Sequence, residues 1–267
     1  MSHFAEERAR AGSEVFFAGV IGKDGEFFAE EFHADGIRTD YIKRSENPNG
    51  HAVIQVDQEG QNCIIIVAGS NAEVTEAYID EVLSHFSAGD LIVLQNETSC
   101  VGYAISEANR KGLIVALNPS PLNDAINTYD MTKVSILLVN EVEGAAMCGA
   151  ENTNDILDAL HRIYPEISVV LTKGEIGSEF IDKNGEKYSS GAIKCDVVDT
   201  TAAGDTFTGY FLHELFERMR PEDALLAASV ASGISVTRKG ASPSIPFSDE
   251  VRRYTKAHFR PQQNHRQ

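Results

Sequence analysis

Apolar residues along this chain fall in short unbroken runs separated by amphipathic stretches. The runs "EVFFAGVIG" (14–22), "DLIVLQN" (90–96), "LIVALNP" (113–119), "VSILLVN" (134–140) and "ISVVLTKG" (167–174) are rich in Val, Ile, Leu and Phe. Apolar residues in succession, rather than in alternation, predict strands of a parallel sheet that is covered on both faces. Between these runs, "EFFAEEFHAD", "TEAYIDEVLSHF", "GYAISEANRKG" and "NDILDALHRIY" carry helical spacing. Strand and helix signals in turn predict a three-layer α/β/α sandwich around a mostly parallel central sheet.

Two segments depart from that alternation. "GHAVIQVDQEGQNCIIIVAG" (50–69) predicts a β-hairpin turning near Glu59-Gly60, and an extended piece, "IRTDYIKR", precedes it. Together, at about 38–69, they are expected to form a small β flap over a site. "SEFIDKNGEKYSS" predicts a second hairpin with an Asn184-Gly185 turn, an edge ribbon. No repeat, low-complexity tract or Pro/Gly linker divides the 267 residues, so a single domain is expected, with a polar tail at 260–267.

Composition narrows the function. A formal net charge of −17 disfavours nucleic acid and anionic membranes, which both require clustered Lys and Arg. A bound phosphate therefore has to be held by local geometry, such as backbone amides at a helix start. The four cysteines, Cys63, Cys100, Cys148 and Cys195, show no CxxC spacing and read as buried thiols of a reduced compartment. "MSHFAEERARAG" is too charged for a signal peptide, and the expected location is the cytosol.

The candidate chemistry lies in "VVDTTAAGDTFTGYF" (197–211). After Gly204, Phe207, Tyr210, Phe211, Leu212 and Leu215 are spaced as one face of a helix, so Ala202-Ala203-Gly204 falls at its start. There the first amides have no intrahelical partner and the macrodipole is positive, which makes a socket for an anion. Small side chains admit a phosphoryl group, and Gly204 is expected to adopt a dihedral closed to other residues. Asp205 then lies beside the anion, although an Asp at a helix start is also an ordinary cap. No GxxxxGK loop ending in Ser or Thr occurs, and no GxGxxG follows a strand, which leaves P-loop and nicotinamide enzymes unsupported.

The run "DTTAAGDTF" closely resembles the D-T-x-A/G-A/G-G-D signature of the ribokinase family of carbohydrate kinases, also called the PfkB family. "ASVASGISVTRKGASPSIP" (228–246) is similar to that family's C-terminal segment. The resemblance implies a ribokinase-like fold that binds ATP, Mg²⁺, K⁺ and a sugar. It implies that Asp205 accepts the proton of a sugar hydroxyl while the amides of Ala202, Ala203 and Gly204 hold charge on the transferred phosphoryl group. Asn140 and Glu143 in "VNEVEGAAM" look like the family's N-x-x-E motif, which organises Mg²⁺ through water; by its residues alone, Asn140 reads as a helix cap after a strand. Thr172 and Gly174 resemble a strand-end turn that touches the nucleotide, and Glu97 a sugar-contacting acid; "ALNPSP" (116–121) is given no chemistry. The segment from Ser229 to Gly240 resembles an adenine pocket and a monovalent-cation loop, with Asp199, Thr201, Ser235, Arg238, Gly240 and Ser244 at the cation positions. Arg238 near a helix end also fits a simple match to the dipole.

In one respect the sequence departs from the family pattern, which opens with a strand carrying a sugar-binding Asp and a "GGKGAN"-like grip. "ARAGSEVFFAGVIGKDGEFFAEEF" resembles the part of the family's chain that lies C-terminal to that grip, so a central strand and much of the sugar site are expected to be missing, with poor turnover of ribose. The expected activity is ATP-dependent phosphorylation of a sugar hydroxyl, D-ribose to ribose 5-phosphate. The alternative is a non-catalytic nucleotide-binding or oligomerising relative, and an uncovered sheet edge points to a homodimer.

Overall fold

The structure is a computed structural model that describes residues 4–56, 62–150, 152–217 and 219–259. Ten strands are described: β1 Phe16–Ile21, β2 Arg38–Arg44, β3 His51–Val56, β4 Asn62–Val67, β5 Leu91–Gln95, β6 Ile114–Asn118, β7 Ile136–Asn140, β8 Ser168–Thr172, β9 Gly177–Ile181 and β10 Lys187–Gly191. The helices are α1 Phe4–Ala11, α2 Glu26–Ala34, α3 Glu76–Leu83, α4 Val101–Arg110, α5 Glu141–Cys148, α6 Ile156–Ile163, α7 Ala203–Phe216, α8 Pro221–Ser235 and α9 Ser248–His258. No helix among the described residues is long and apolar enough to cross a membrane.

The main sheet has six strands in the order β10-β9-β8-β7-β6-β5. β5 to β8 are parallel, each joined to the next by a long crossover connection, and β9 and β10 run antiparallel at one edge. Its strands divide their side chains between two cores. Val115, Leu117, Leu137, Val169 and Leu171 point into the first, with Ile105 of α4 and Leu157 and Leu160 of α6. Ala116, Ile136, Leu138 and Val170 point into the second, with Phe207 and Phe211 of α7 and Ala228 of α8. This two-sided burial is the physical reason that the strands read as continuous apolar runs.

Three expectations are corrected. The run at 14–22 does form a strand, but β1 pairs in parallel with β2 in a separate two-stranded sheet instead of joining the main one. β2 consequently belongs to that sheet and not to the flap. The flap is β3 and β4 alone, antiparallel with His51 opposite Val67; its turn at Glu59-Gly60 lies outside the described residues, as does the tail at 260–267. In the β9–β10 hairpin, Asn184 is not the turn's left-handed residue. Asp182 accepts hydrogen bonds from Asn184 and Glu186, and only Gly185 has positive φ, at 86°, which makes a longer loop than a two-residue Asn-Gly turn.

On the face away from the strand ends, His213 of α7 shares a 2.8 Å hydrogen bond with the Ser13 hydroxyl. Burial lowers its pKa, Arg8 and Arg252 lower it further, and Glu217 opposes them. A histidine whose pKa is depressed by folding favours the native state above its unfolded value of about 6.5 and disfavours it as pH falls, because the unfolded chain takes up the proton first. The melting temperature should therefore fall between pH 7.5 and 5.5, and His213→Gln should flatten part of that slope. An identical pH profile in parent and variant would remove His213 from the titration.

Candidate active site

The carboxyl ends of β6, β7 and β8 open onto the N-terminus of α7, and a cleft of about 120 Å³ lies between them. Open α/β sheets place ligands in this position. Asn118 and Ser120 from the β6 end, Asn140 and Glu143 from the β7–α5 junction, Thr172 from β8, and Gly204, Asp205 and Thr208 from α7 line it. Asn140 and Thr172 reach it together because they are register partners across β7 and β8.

The α7 start is held from below. Ala202 is the N-cap and provides no side-chain cap, so Asp205, the third helical residue, is not the cap that its position in the sequence allowed. The Ala202 carbonyl accepts from Thr206 at 2.9 Å, and Ser232 of α8 donates to the Ala203 carbonyl at 2.9 Å. The Ala203 amide donates to the Thr200 carbonyl at 3.2 Å, so of the three amides expected to bind an anion this one already has a partner. Gly204 also differs from expectation. Its φ is not positive and a Cβ there would meet nothing within 4 Å, so the glycine supplies room at the cleft wall and not an unusual dihedral.

At the start of α5, Asn140 and Glu143 form a capping box. The Asn140 side chain accepts from the Glu143 amide at 2.9 Å, and the Glu143 carboxylate accepts from the Asn140 amide at 3.1 Å. The cap reading of Asn140 is therefore correct as local structure. The same box turns a buried carboxylate, 9 % exposed, toward the cleft, where oxygen donors of this kind fit a hydrated Mg²⁺.

The cation-loop residues gather separately. One Asp199 carboxylate oxygen accepts from the Thr201 amide at 3.0 Å and from its hydroxyl, and the other accepts from the Gly240 amide at 2.9 Å. These bonds, the Thr201 hydroxyl first, hold the Asp199 carboxyl below its ordinary range. Ser235 and Ser244 spend their hydroxyls on the backbone carbonyls of Ser232 and Ala241. Arg238 pairs with Glu250 of α9 and approaches the Ser244 carbonyl at 3.5 Å, so its charge meets a carboxylate beyond its own helix end. Among the described residues no three His, Cys, Asp or Glu side chains cluster as metal ligands. A cation in this loop would rest on carbonyl oxygens.

Three expected residues lie apart from the cleft. Gly174 opens a short turn with φ of 50°, a value that suits glycine. Ser229 is buried in the middle of α8, where its hydroxyl contacts that of Ser190 at 3.3 Å. Glu97 lines a larger cleft, about 510 Å³, with Asn49, Gly50, Asn71 and Gln95. Asn118, Ser120 and Thr208 were missed as cleft residues. The available signal was a polar Asn ending the apolar run of "LIVALNPSP".

The family model for pfkB family carbohydrate kinases matches residues 7–248. The ribokinase of Haemophilus influenzae is 31% identical over 256 residues, covering 91% of this chain and 82% of the relative. Among solved structures, the ribokinase of Thermotoga maritima superposes with a TM-score of 0.82 at 32% identity, covering 95% of this chain and 86% of that one. Arabidopsis thaliana ribokinase complexed with ribose and ATP gives 0.83 at 27% identity, with the same coverages. The chain belongs to the pfkB family of carbohydrate kinases. It is a sugar kinase with the family's three-layer α/β sandwich.

Proposed function

We propose that the protein transfers the γ-phosphoryl group of ATP to a hydroxyl of D-ribose, giving ribose 5-phosphate. The supporting observation is that residues far apart in sequence, Asn140, Glu143, Thr172, Gly204 and Asp205, share one cleft at a helix N-terminus. In this reading Asp205 takes the proton of the sugar hydroxyl as that oxygen bonds to the γ-phosphorus, and the bond from phosphorus to the β–γ bridging oxygen breaks to release ADP. The α7 amides, chiefly at Gly204, face the charge on the transferred group, with Ala202 and Ala203 shaping the turn that presents them. Glu143 and Asn140 would hold Mg²⁺ through water, which offsets the phosphate charge. Thr172 and Gly174 would border the nucleotide, and the segment from Ser229 to Gly240 its adenine. Glu97 would meet the sugar from the larger cleft.

A panel of ribose, 2-deoxyribose, fructose and adenosine, each with MgATP, tests the acceptor by ³¹P NMR of the product. Ribose should give the highest kcat/KM and a 5-phosphate ester. A higher value for any other acceptor would reassign the substrate.

The loop of Asp199, Thr201, Ser235, Arg238, Gly240 and Ser244 is proposed to hold K⁺ and so to steady the α7 start. Activity in K⁺ should exceed that in tetramethylammonium at equal ionic strength, whereas equal rates would remove the cation site. We further propose that the chain works as one domain and as a homodimer in the cytoplasm. The dimer reading is supported by the exposed Ile65, Ile66 and Val67 on β4. A monomer by sedimentation at micromolar concentration would end it.

A further inference from the structure

The loop proposed to hold K⁺ is gripped by a residue from the other end of the chain. Asp199 fixes the start of the loop through the Gly240 amide at 2.9 Å. Its far end is fixed by Arg10, in the last turn of α1. Nη1 of Arg10 donates to the Ser242 carbonyl at 2.7 Å and to the Ile245 carbonyl at 3.0 Å. These carbonyls belong to the first residue of the short 3₁₀ turn Ser242–Ser244 and to the residue that follows it, so one guanidinium nitrogen spans the turn that carries Ser244.

Nε and Nη2 of the same guanidinium face Asp35, which closes α2, and donate to its carboxylate at 3.1 and 2.7 Å. The guanidinium carbon also lies 5.1 Å from the ring centroid of Phe247, the N-cap of α9. With its side chain only 12% exposed, Arg10 touches α2, the loop and the α9 start at once. A basic residue in the last turn of a helix ordinarily answers the dipole of that helix. Arg10 instead directs its donors to segments distant in the chain. The planar fork of a guanidinium permits this, and the single ammonium of a lysine could not reproduce it.

A second anchor lies beside the first. Tyr210 of α7 donates its hydroxyl to the Pro246 carbonyl at 2.7 Å, so the loop is also tied to the helix that presents Asp205. Within the loop, the Ser244 amide and hydroxyl both bond the Ala241 carbonyl, which shapes the turn without placing it in the fold. Carbonyl oxygens that converge on a cation repel one another in its absence. A backbone held in that arrangement beforehand spares the cation the cost of ordering it.

We propose that Arg10 is a positioning residue for the cation loop: through the Ser242 and Ile245 carbonyls it holds the turn around Ser244 ready for K⁺, and through Asp35 it braces that turn against α2. The role rests on the reading of this loop as a K⁺ site. Asp35 contributes in two ways. It fixes the guanidinium from behind, and its carboxylate offsets a positive charge that would otherwise oppose a cation nearby.

The test uses the whole chain carrying Arg10→Lys or Asp35→Asn, with K⁺ replaced stepwise by tetramethylammonium at equal ionic strength. Ile105→Val, in the first core, supplies a loss of stability away from the loop. Hydrogen exchange at 241–246 and the sugar-dependent rate of ADP formation from MgATP are both followed across the series. Without K⁺, exchange at 241–246 should be faster in the two loop variants than in the parent. Both variants should need at least about tenfold more K⁺ for half-protection and for half the maximal rate, because the cation must then order the turn itself. Saturating K⁺ should restore the parent's rate, and Ile105→Val should keep the parent's K⁺ midpoints. A parent that ignores K⁺ in both readouts would remove the cation site and this role with it. A parent that responds, with variants that share its midpoints, would overturn the role of Arg10 alone, as would a rate that saturating K⁺ leaves unrestored. Should Arg10→Lys fail to fold, Asp35→Asn decides by the same readouts. The exchange measurement is independent of turnover.

Discussion

Asp205→Asn should lower turnover by roughly 10²- to 10⁴-fold while nucleotide affinity changes little, the range expected when a general base is removed. The amide fills the space of the carboxylate but cannot take a proton from the acceptor hydroxyl. The structure makes this substitution a clean test. Asp205 is the third residue of α7 and Ala202 the N-cap, so the substitution leaves the N-cap residue in place and keeps a polar side chain of the same size at the helix start. Circular dichroism and the melting temperature should match the parent, and calorimetry with MgATP should still show binding. Turnover equal to the parent's would leave Asp205 as a charge matched to the α7 dipole and would move the base elsewhere in the cleft.

Phe211→Ala should reduce the unfolding free energy by about 3–5 kcal/mol, the cost of emptying a large aromatic site in a core that relaxes only partly. Phe211 is 0% exposed, its ring centroid lies 5.3 Å from that of Phe180 on β9, and it stacks on Phe207 one turn earlier on α7. Those contacts press α7 onto the sheet and so fix the height of Asp205 over the strand ends. Urea titration measures the loss, and the same variant should lose activity before it unfolds. A stability change below about 1 kcal/mol would show that the neighbouring helices close over the cavity.

The central strands could be read from sequence because both of their faces are buried, which leaves no polar position to blur the pattern. The helix start at 202–205 was equally legible: small residues, an acid and then an apolar helical face occur together within a dozen positions. β1 shows where such reading stops. "EVFFAGVIG" has the composition of an interior strand, and it forms a strand, but in a two-stranded sheet whose other member is β2. Composition reports burial and says nothing of the neighbour. The same holds at single residues. Gly204 was expected to need a special dihedral and instead provides space, and the Ala203 amide was expected to be open and instead meets Thr200.

Local physical chemistry, carried by the order of residues, determined which segments become strands and helices, where α5 and α7 begin, and which side chains stand at those beginnings. Tertiary structure decided which of these share a space. Asn118, Asn140, Thr172 and Asp205 meet because three parallel strands end together beneath one helix, an arrangement set by strand order and register. Glu97, Ser229 and the Asp199 loop fell elsewhere for the same reason. Strand pairing is a long-range choice among edges of similar composition, made by the packing of whole faces and not by any one segment.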